Sequence, residues 1–77
     1  DPERDLEIRE LLDVLGKALS SLSAEQRRVI ELRDLDGLEY QEIAERLDVP
    51  VGTVRSRLNR ARNRVRETSD RVLSESA

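Results

Sequence analysis

Tyr40-Gln41-Glu42-Ile43-Ala44-Glu45-Arg46-Leu47-Asp48-Val49-Pro50-Val51-Gly52-Thr53-Val54-Arg55-Ser56-Arg57-Leu58 is the stretch on which the fold turns. Its first half predicts a short helix from about Tyr40 to Leu47. Ile43, Ala44 and Leu47 face inward, while Glu39, Glu42, Glu45 and Arg46 face solvent. Asp48-Val49-Pro50 ends that helix, because proline disfavours helical geometry at the residue before it and fixes its own φ. A second helix is predicted from about Val51 to Glu67. Its apolar stripe Val51, Val54, Leu58, Ala61 and Val65 is spaced by three and four residues. Ala44 is small at the point where two such helices must cross closely. Short helix, tight break and second helix, in that order, make a helix-turn-helix spanning about residues 40–67, with the second helix as the reading element.

Charge singles out the same segment. Residues 49–66 contain six arginines and no acid, in a 77-residue chain whose net charge is −3. Residues 1–48 hold 14 Asp/Glu against 7 Lys/Arg, and residues 67–77 carry a further excess of acid. A docking anion responds to the local field and not to the total. A merely solvated helix would be expected to alternate its arginines with acids at i,i+4, and here there are none.

At about 100° per residue, the side opposite the apolar stripe presents Gly52, Ser56, Asn59, Arg60 and Asn63. One flank carries Arg55, Arg62 and Arg66, and the other carries Thr53, Arg57 and Arg64. A polar floor between two arginine columns suits a helix lying in the major groove of DNA. Floor residues then reach base edges, and the flanks reach phosphates on either side. Arginine reads guanine and asparagine reads adenine through paired hydrogen bonds.

Upstream, Ile8, Leu11, Leu12, Leu15, Leu19 and Leu22 recur at helical spacing over residues 3–19, with acids early and Lys17 late, as the helix dipole favours. This first helix should end near Ser20. Ser23-Ala24-Glu25-Gln26 is a capping box, opening a helix through Val29, Ile30 and Leu32 to about Leu35, where Asp36-Gly37 supplies a left-handed stop. Downstream, residues 69–77 are Ser-rich and show no face, so a frayed tail is expected there. The chain is thus expected to be all-α: a compact four-helix domain over residues 1–68 with the helix-turn-helix as its third and fourth helices. It starts Asp1-Pro2 and is expected to be a piece of a longer protein.

Composition narrows the function. The chain has no cysteine and no histidine, which removes disulfides, Cys/His zinc sites, thiol nucleophiles and histidine acid–base chemistry. No apolar run approaches membrane-spanning length. Carboxylate pairs such as Glu42 with Glu45, or Asp34 with Asp36, are inevitable among 17 acids. They lack any pocket-forming context and are expected to be solvated. An enzyme, a bound cofactor and a small-molecule substrate are therefore not expected.

The phrases Tyr-x-Glu-Ile-Ala (Tyr40 to Ala44) and Pro-x-Gly-Thr-Val-Arg-Ser-Arg-Leu-x-Arg-Ala-Arg (Pro50 to Arg62), with Leu22-Ser23-Ala24-Glu25-Gln26-Arg27 upstream, are specific in combination. Over about residues 18–67 the chain resembles region 4 of bacterial sigma factors, particularly the extracytoplasmic-function group. The resemblance implies recognition of the minus-35 promoter element in double-stranded DNA and docking on the β flap of core RNA polymerase, in the bacterial cytoplasm. It also implies frequent inhibition by an anti-sigma factor. Carried over by position, Arg55, Ser56, Asn59 and Arg60 would face bases. Tyr40, Gln41, Thr53, Arg57, Arg62 and Arg64 would lie near phosphates, and the first two helices would meet polymerase. Glu39 departs from the Ser or Thr common at that place and is a poorer helix cap. Asn59 stands where larger aromatic or histidine residues are frequent, which bears on the base sequence preferred. Two alternatives stand beside this one. A sigma mimic that titrates an anti-sigma factor would have no use for the polar floor. A response-regulator effector domain shares the Glu-Ile-Ala phrase but fits the later arginine-rich phrase less well.

Overall fold

The computed structural model describes residues 1–76. The described residues form four helices: α1 (Pro2–Ser20), α2 (Ala24–Ile30, continued by a wider turn over Glu31–Leu35), α3 (Tyr40–Leu47) and α4 (Val51–Ser76). The described residues include no strand, in agreement with the all-α expectation.

Each boundary has a local chemical cause. Asp1 caps α1, its carboxylate accepting from the Glu3 amide at 3.2 Å, and Pro2 occupies the first turn, where a missing N–H costs nothing. Ser21 closes the far end by donating its hydroxyl to the Ala18 carbonyl at 2.6 Å. At α2 the capping box forms as read. The Gln26 amide donates to Ser23 Oγ at 3.1 Å, and the Ser23 amide donates to Gln26 Oε1 at 3.0 Å.

The last turn of α2 departs from the expected α-helix. Over Glu31–Leu35 the backbone widens to i→i+5 bonding, with the Asp36 amide donating to the Glu31 carbonyl at 2.9 Å. The widened turn keeps Leu32 fully buried and turns Leu35 outward, 78 % exposed. Gly37 then takes φ +73°, the left-handed conformation that glycine adopts without steric cost. Asp48 takes the same conformation (φ 54°) between α3 and α4, where its short polar side chain tolerates what most residues resist. The Val49 amide there donates back to the Ala44 carbonyl at 3.0 Å.

The helix-turn-helix is built over one core: Val29, Leu32, Ile43, Ala44, Val54 and Leu58, walled by Ile30, Leu38, Tyr40, Leu47, Val49 and Val51. Ala44 lies within it as anticipated. The stripe on α4 is the common surface against which α2 and α3 pack.

Two expectations are corrected at the ends of the chain. α4 does not stop near Glu67. It runs 26 residues to Ser76, and Thr68 and Val72 are buried, extending the stripe by the same alternation of three and four. A polar residue at position 68 disguises that continuation, because its hydroxyl is satisfied by donating to Ser21 Oγ at 3.1 Å. Ala77 of the expected tail lies outside the described residues. The second correction concerns α1, which packs on α4 through buried Ala18 with half-buried Val14 and Leu19 beside it. Of the expected apolar face, Leu22 is buried and Leu19 half-buried, whereas Ile8, Leu11, Leu12 and Leu15 are 47–66 % exposed. Only the C-terminal part of the expected face is covered by this domain, around Ala18.

Candidate nucleic-acid interface

The exposed side of α4 carries the residues that periodicity placed there. Gly52, Arg55, Asn59, Arg60, Arg62, Asn63, Arg64 and Arg66 are exposed, and Thr53, Ser56 and Arg57 are half-buried. Ser56 donates its hydroxyl to the Thr53 carbonyl at 3.1 Å, which commits its proton to the helix and leaves its lone pairs outward.

The start of α3 meets this surface. Tyr40 lines a groove of about 490 Å³ together with Gly52, Arg55, Ser56, Leu58, Asn59 and Arg62. Five of the ten candidate contact residues border that one groove: Tyr40, Arg55, Ser56, Asn59 and Arg62. Gln41 is set apart. It lines a shallower recess at the interhelical turn with Ala44, Glu45, Asp48, Val49, Pro50 and Val51. Arg60 and Arg64 stand exposed on α4, and Arg57 borders a recess on the α2 side with Ala24, Glu25, Arg28 and Leu47.

The arginines are not alike. Arg62 donates from Nη2 to Asp34 Oδ1 at 3.0 Å, and Arg57 approaches Glu25 Oε2 at 3.6 Å. Arg55, Arg60, Arg64 and Arg66 have no ion pair or side-chain hydrogen bond among the described residues. The missing acids on α4 are thus supplied to two arginines by α2 and its widened turn. The expectation that Asp34 is merely solvated is corrected, because its carboxylate holds Arg62. That hydrogen bond is the largest influence on the Arg62 guanidinium and raises its pKa above the usual arginine value. Burial comes next and opposes the shift, and the charge of Asp34 adds to it, with Tyr40 contributing least.

Sequence reading also missed Arg33. Its guanidinium donates to the Leu38 carbonyl at 2.9 Å, lies 3.7 Å from Glu39 and sits 5.1 Å over the Tyr40 ring. It thereby fixes the loop that delivers Tyr40 to the groove. Glu39, the weak cap of α3, makes no capping hydrogen bond and is engaged with Arg33 instead.

A second concavity, about 380 Å³, lies on another side. Leu15, Leu19, Ile30, Leu35 and Val65 form its apolar wall, and Arg27, Glu31, Asp34 and Arg62 its rim. No group of His, Cys, Asp or Glu among the described residues could hold a metal ion. No helix among them is long and apolar enough to cross a membrane.

An acidic helical scaffold that exposes an arginine-rich second helix beside a tight turn defines a helix-turn-helix domain of the nucleic-acid-facing class. Comparison with known proteins agrees. The family described as Sigma-70, region 4 matches residues 12–65, and the chain belongs to that family, a domain of transcription initiation factors and not an enzyme. It is 46 % identical over 65 residues to the ECF RNA polymerase sigma-E factor of Escherichia coli strain K12, a match covering 84 % of this chain and 34 % of that protein. The factor of the same description in Salmonella typhimurium strain LT2 matches equally well. That of Haemophilus influenzae is 42 % identical over 64 residues, 83 % of this chain and 34 % of the relative. The chain spans about a third of the length of these curated relatives.

Proposed function

We propose that this domain reads the minus-35 element of promoter DNA, with α4 in the major groove. The observation that carries the reading is a polar floor that includes Arg60 and is bordered by Arg55, Arg64 and Arg66, all four without acidic partners, on the second helix of a helix-turn-helix in an otherwise acidic chain. Arg55, Ser56, Asn59 and Arg60 meet base edges. Tyr40, Gln41, Thr53, Arg57, Arg62 and Arg64 face phosphates. The first amides of α4, at Val51 and Gly52, add an anion-binding end, whereas the Thr53 amide is taken up by the Pro50 carbonyl at 2.9 Å.

The apolar groove of Leu15, Leu19, Ile30, Leu35 and Val65 supports the companion reading, docking on the β flap of core polymerase. Its neighbour α1 exposes further leucines that an anti-sigma factor would cover. The place of action is the bacterial cytoplasm, and the functional unit comprises the helical domain of residues 1–68 with the rest of α4 attached.

The test compares Arg60→Ala with Arg64→Ala on two duplexes, one selected by the chain from a random library and one scrambled. Loss of a base contact by Arg60→Ala costs roughly 1–3 kcal/mol on the selected duplex and little on the scrambled one. Arg64→Ala weakens both alike. Equal losses from Arg60→Ala on both duplexes would remove that residue from the reading role. No binding of either duplex by the unaltered chain at low salt would favour a domain that only engages proteins.

A further inference from the structure

Arg62 belongs to two surfaces at once. It borders the groove that holds Tyr40, Arg55 and Asn59, and it forms part of the rim of the apolar groove beside Asp34. Its hydrogen bond to Asp34 joins residues 28 positions apart. Both side chains are 46 % exposed, so the pair lies within reach of an arriving anion.

Carboxylate and phosphodiester present similar oxygens to a guanidinium and compete for the same N–H groups. A phosphate that engages Arg62 fully must displace Asp34, and the displaced carboxylate then lies beside the DNA backbone, where like charges repel. The domain has no acid between residues 49 and 66 of its own basic segment, so the acid facing Arg62 is brought by the fold. Burial does not compel the pairing, because an arginine half in water needs no partner to remain charged.

We propose that Asp34 is an intramolecular competitor for DNA: it occupies Arg62 in the free domain and restrains the affinity of α4 for the phosphate backbone. This rests on the reading of α4 as the DNA-facing helix. Asp34 touches no nucleotide in this scheme and acts through Arg62 alone. The widened turn over Glu31–Leu35 carries the competitor, which gives that irregular segment a role beyond ending α2.

The experiment uses the 77-residue chain, its Asp34→Asn and Arg62→Ala variants and the double variant. Each is checked for helicity by circular dichroism and titrated against the selected and scrambled duplexes over a salt series. Asp34→Asn is expected to bind both duplexes about two- to fivefold more tightly, the range set by the strength of an exposed ion pair. The slope of log K against log salt should steepen by about 0.9, the contribution of one more neutralised phosphate. In the Arg62→Ala background, Asp34→Asn should change neither quantity, since a pair cannot be broken twice. Tighter binding that persists without Arg62 would show a general effect of removing negative charge and overturn the proposal. Weaker binding by a well-folded Asp34→Asn chain would make Asp34 a support for Arg62 and overturn it equally. If the unaltered chain binds the duplexes and Asp34→Asn alters nothing, this inference alone fails. If no variant binds either duplex at low salt, the DNA reading and this inference fall together.

Discussion

Raising the salt concentration is the most direct perturbation of the proposed interface, and the ion pairs set its expected size. Each phosphate neutralised by an arginine contributes about 0.9 to the slope of log K against log salt, through release of condensed counterions. Six arginines lie between residues 49 and 66, but Arg57 and Arg62 are occupied by Glu25 and Asp34. Arg55 and Arg60 are assigned to base edges, so if only the unpartnered Arg64 and Arg66 meet phosphates, the slope is about −1.8, and affinity falls about 12-fold between about 50 and 200 mM salt. If Arg57 and Arg62 abandon Glu25 and Asp34 and meet phosphates as well, the slope is about −3.6, and the same change in salt costs about 150-fold. These outcomes differ by more than tenfold, well within the resolution of fluorescence anisotropy with a labelled duplex. The unaltered chain is expected near the shallower value. A slope weaker than about −0.9 would mean that fewer than one arginine meets the backbone, and the charge of α4 would then not be what binds DNA.

Three further predictions concern what holds the interface in place. Leu58 is 1 % exposed at the centre of the helix-turn-helix core, so Leu58→Ala should lose about 2–5 kcal/mol in urea unfolding. A chain of 77 residues has on the order of 4–12 kcal/mol in all, so a loss under about 1 kcal/mol would contradict the packing described. Glu39→Ser should raise the melting temperature, because serine supplies the cap that Glu39 does not make. The gain of about 1 kcal/mol outweighs the exposed contact with Arg33 at 3.7 Å. Thr68→Val should cost about 1 kcal/mol by leaving Ser21 without its donor. Thr68→Val and Ser21→Ala together should cost less than the sum of the two singles, whereas strict additivity would place Thr68 outside that hydrogen bond.

Features whose chemistry is local were legible in the amino-acid order. Ser23 and Gln26 answer each other across three residues, and both cap bonds are present. Gly37 marked a left-handed turn, and Val54, Leu58 and Ala61 marked the inward side of α4. What escaped was set by distance along the chain. Nothing near Arg62 announces Asp34, and nothing near Arg57 announces Glu25, because those encounters exist only once α2 lies across α4. Thr68 escaped for another reason: a hydroxyl reads as exposed until its partner is known, and its partner Ser21 lies 47 residues away. The leucines of α1 misled in the opposite direction. Apolar periodicity reports that a face avoids water, but not that this domain itself supplies the cover, and Leu11 and Leu12 remain more than 60 % exposed. Among the candidate contact residues, position on α4 was readable from the period, whereas the gathering of Tyr40 with Arg55, Ser56 and Asn59 required the crossing of α3 and α4.

The length of α4 gives the domain two tiers of unequal strength. Its first half shares a six-residue core with α2 and α3, and its second half holds α1 through Ala18, Thr68 and Val72. The first ten residues of α1 are all exposed. Local opening follows the weakest packing, so amide exchange should spread inward from the start of α1 while the amides around Leu32, Ile43 and Leu58 remain protected. The exposed start of α1 is then expected to fray first, while its buried Ala18 end stays against α4. The tightly packed end that holds the helix-turn-helix and the end that holds α1 are thus carried on one continuous rod of 26 residues.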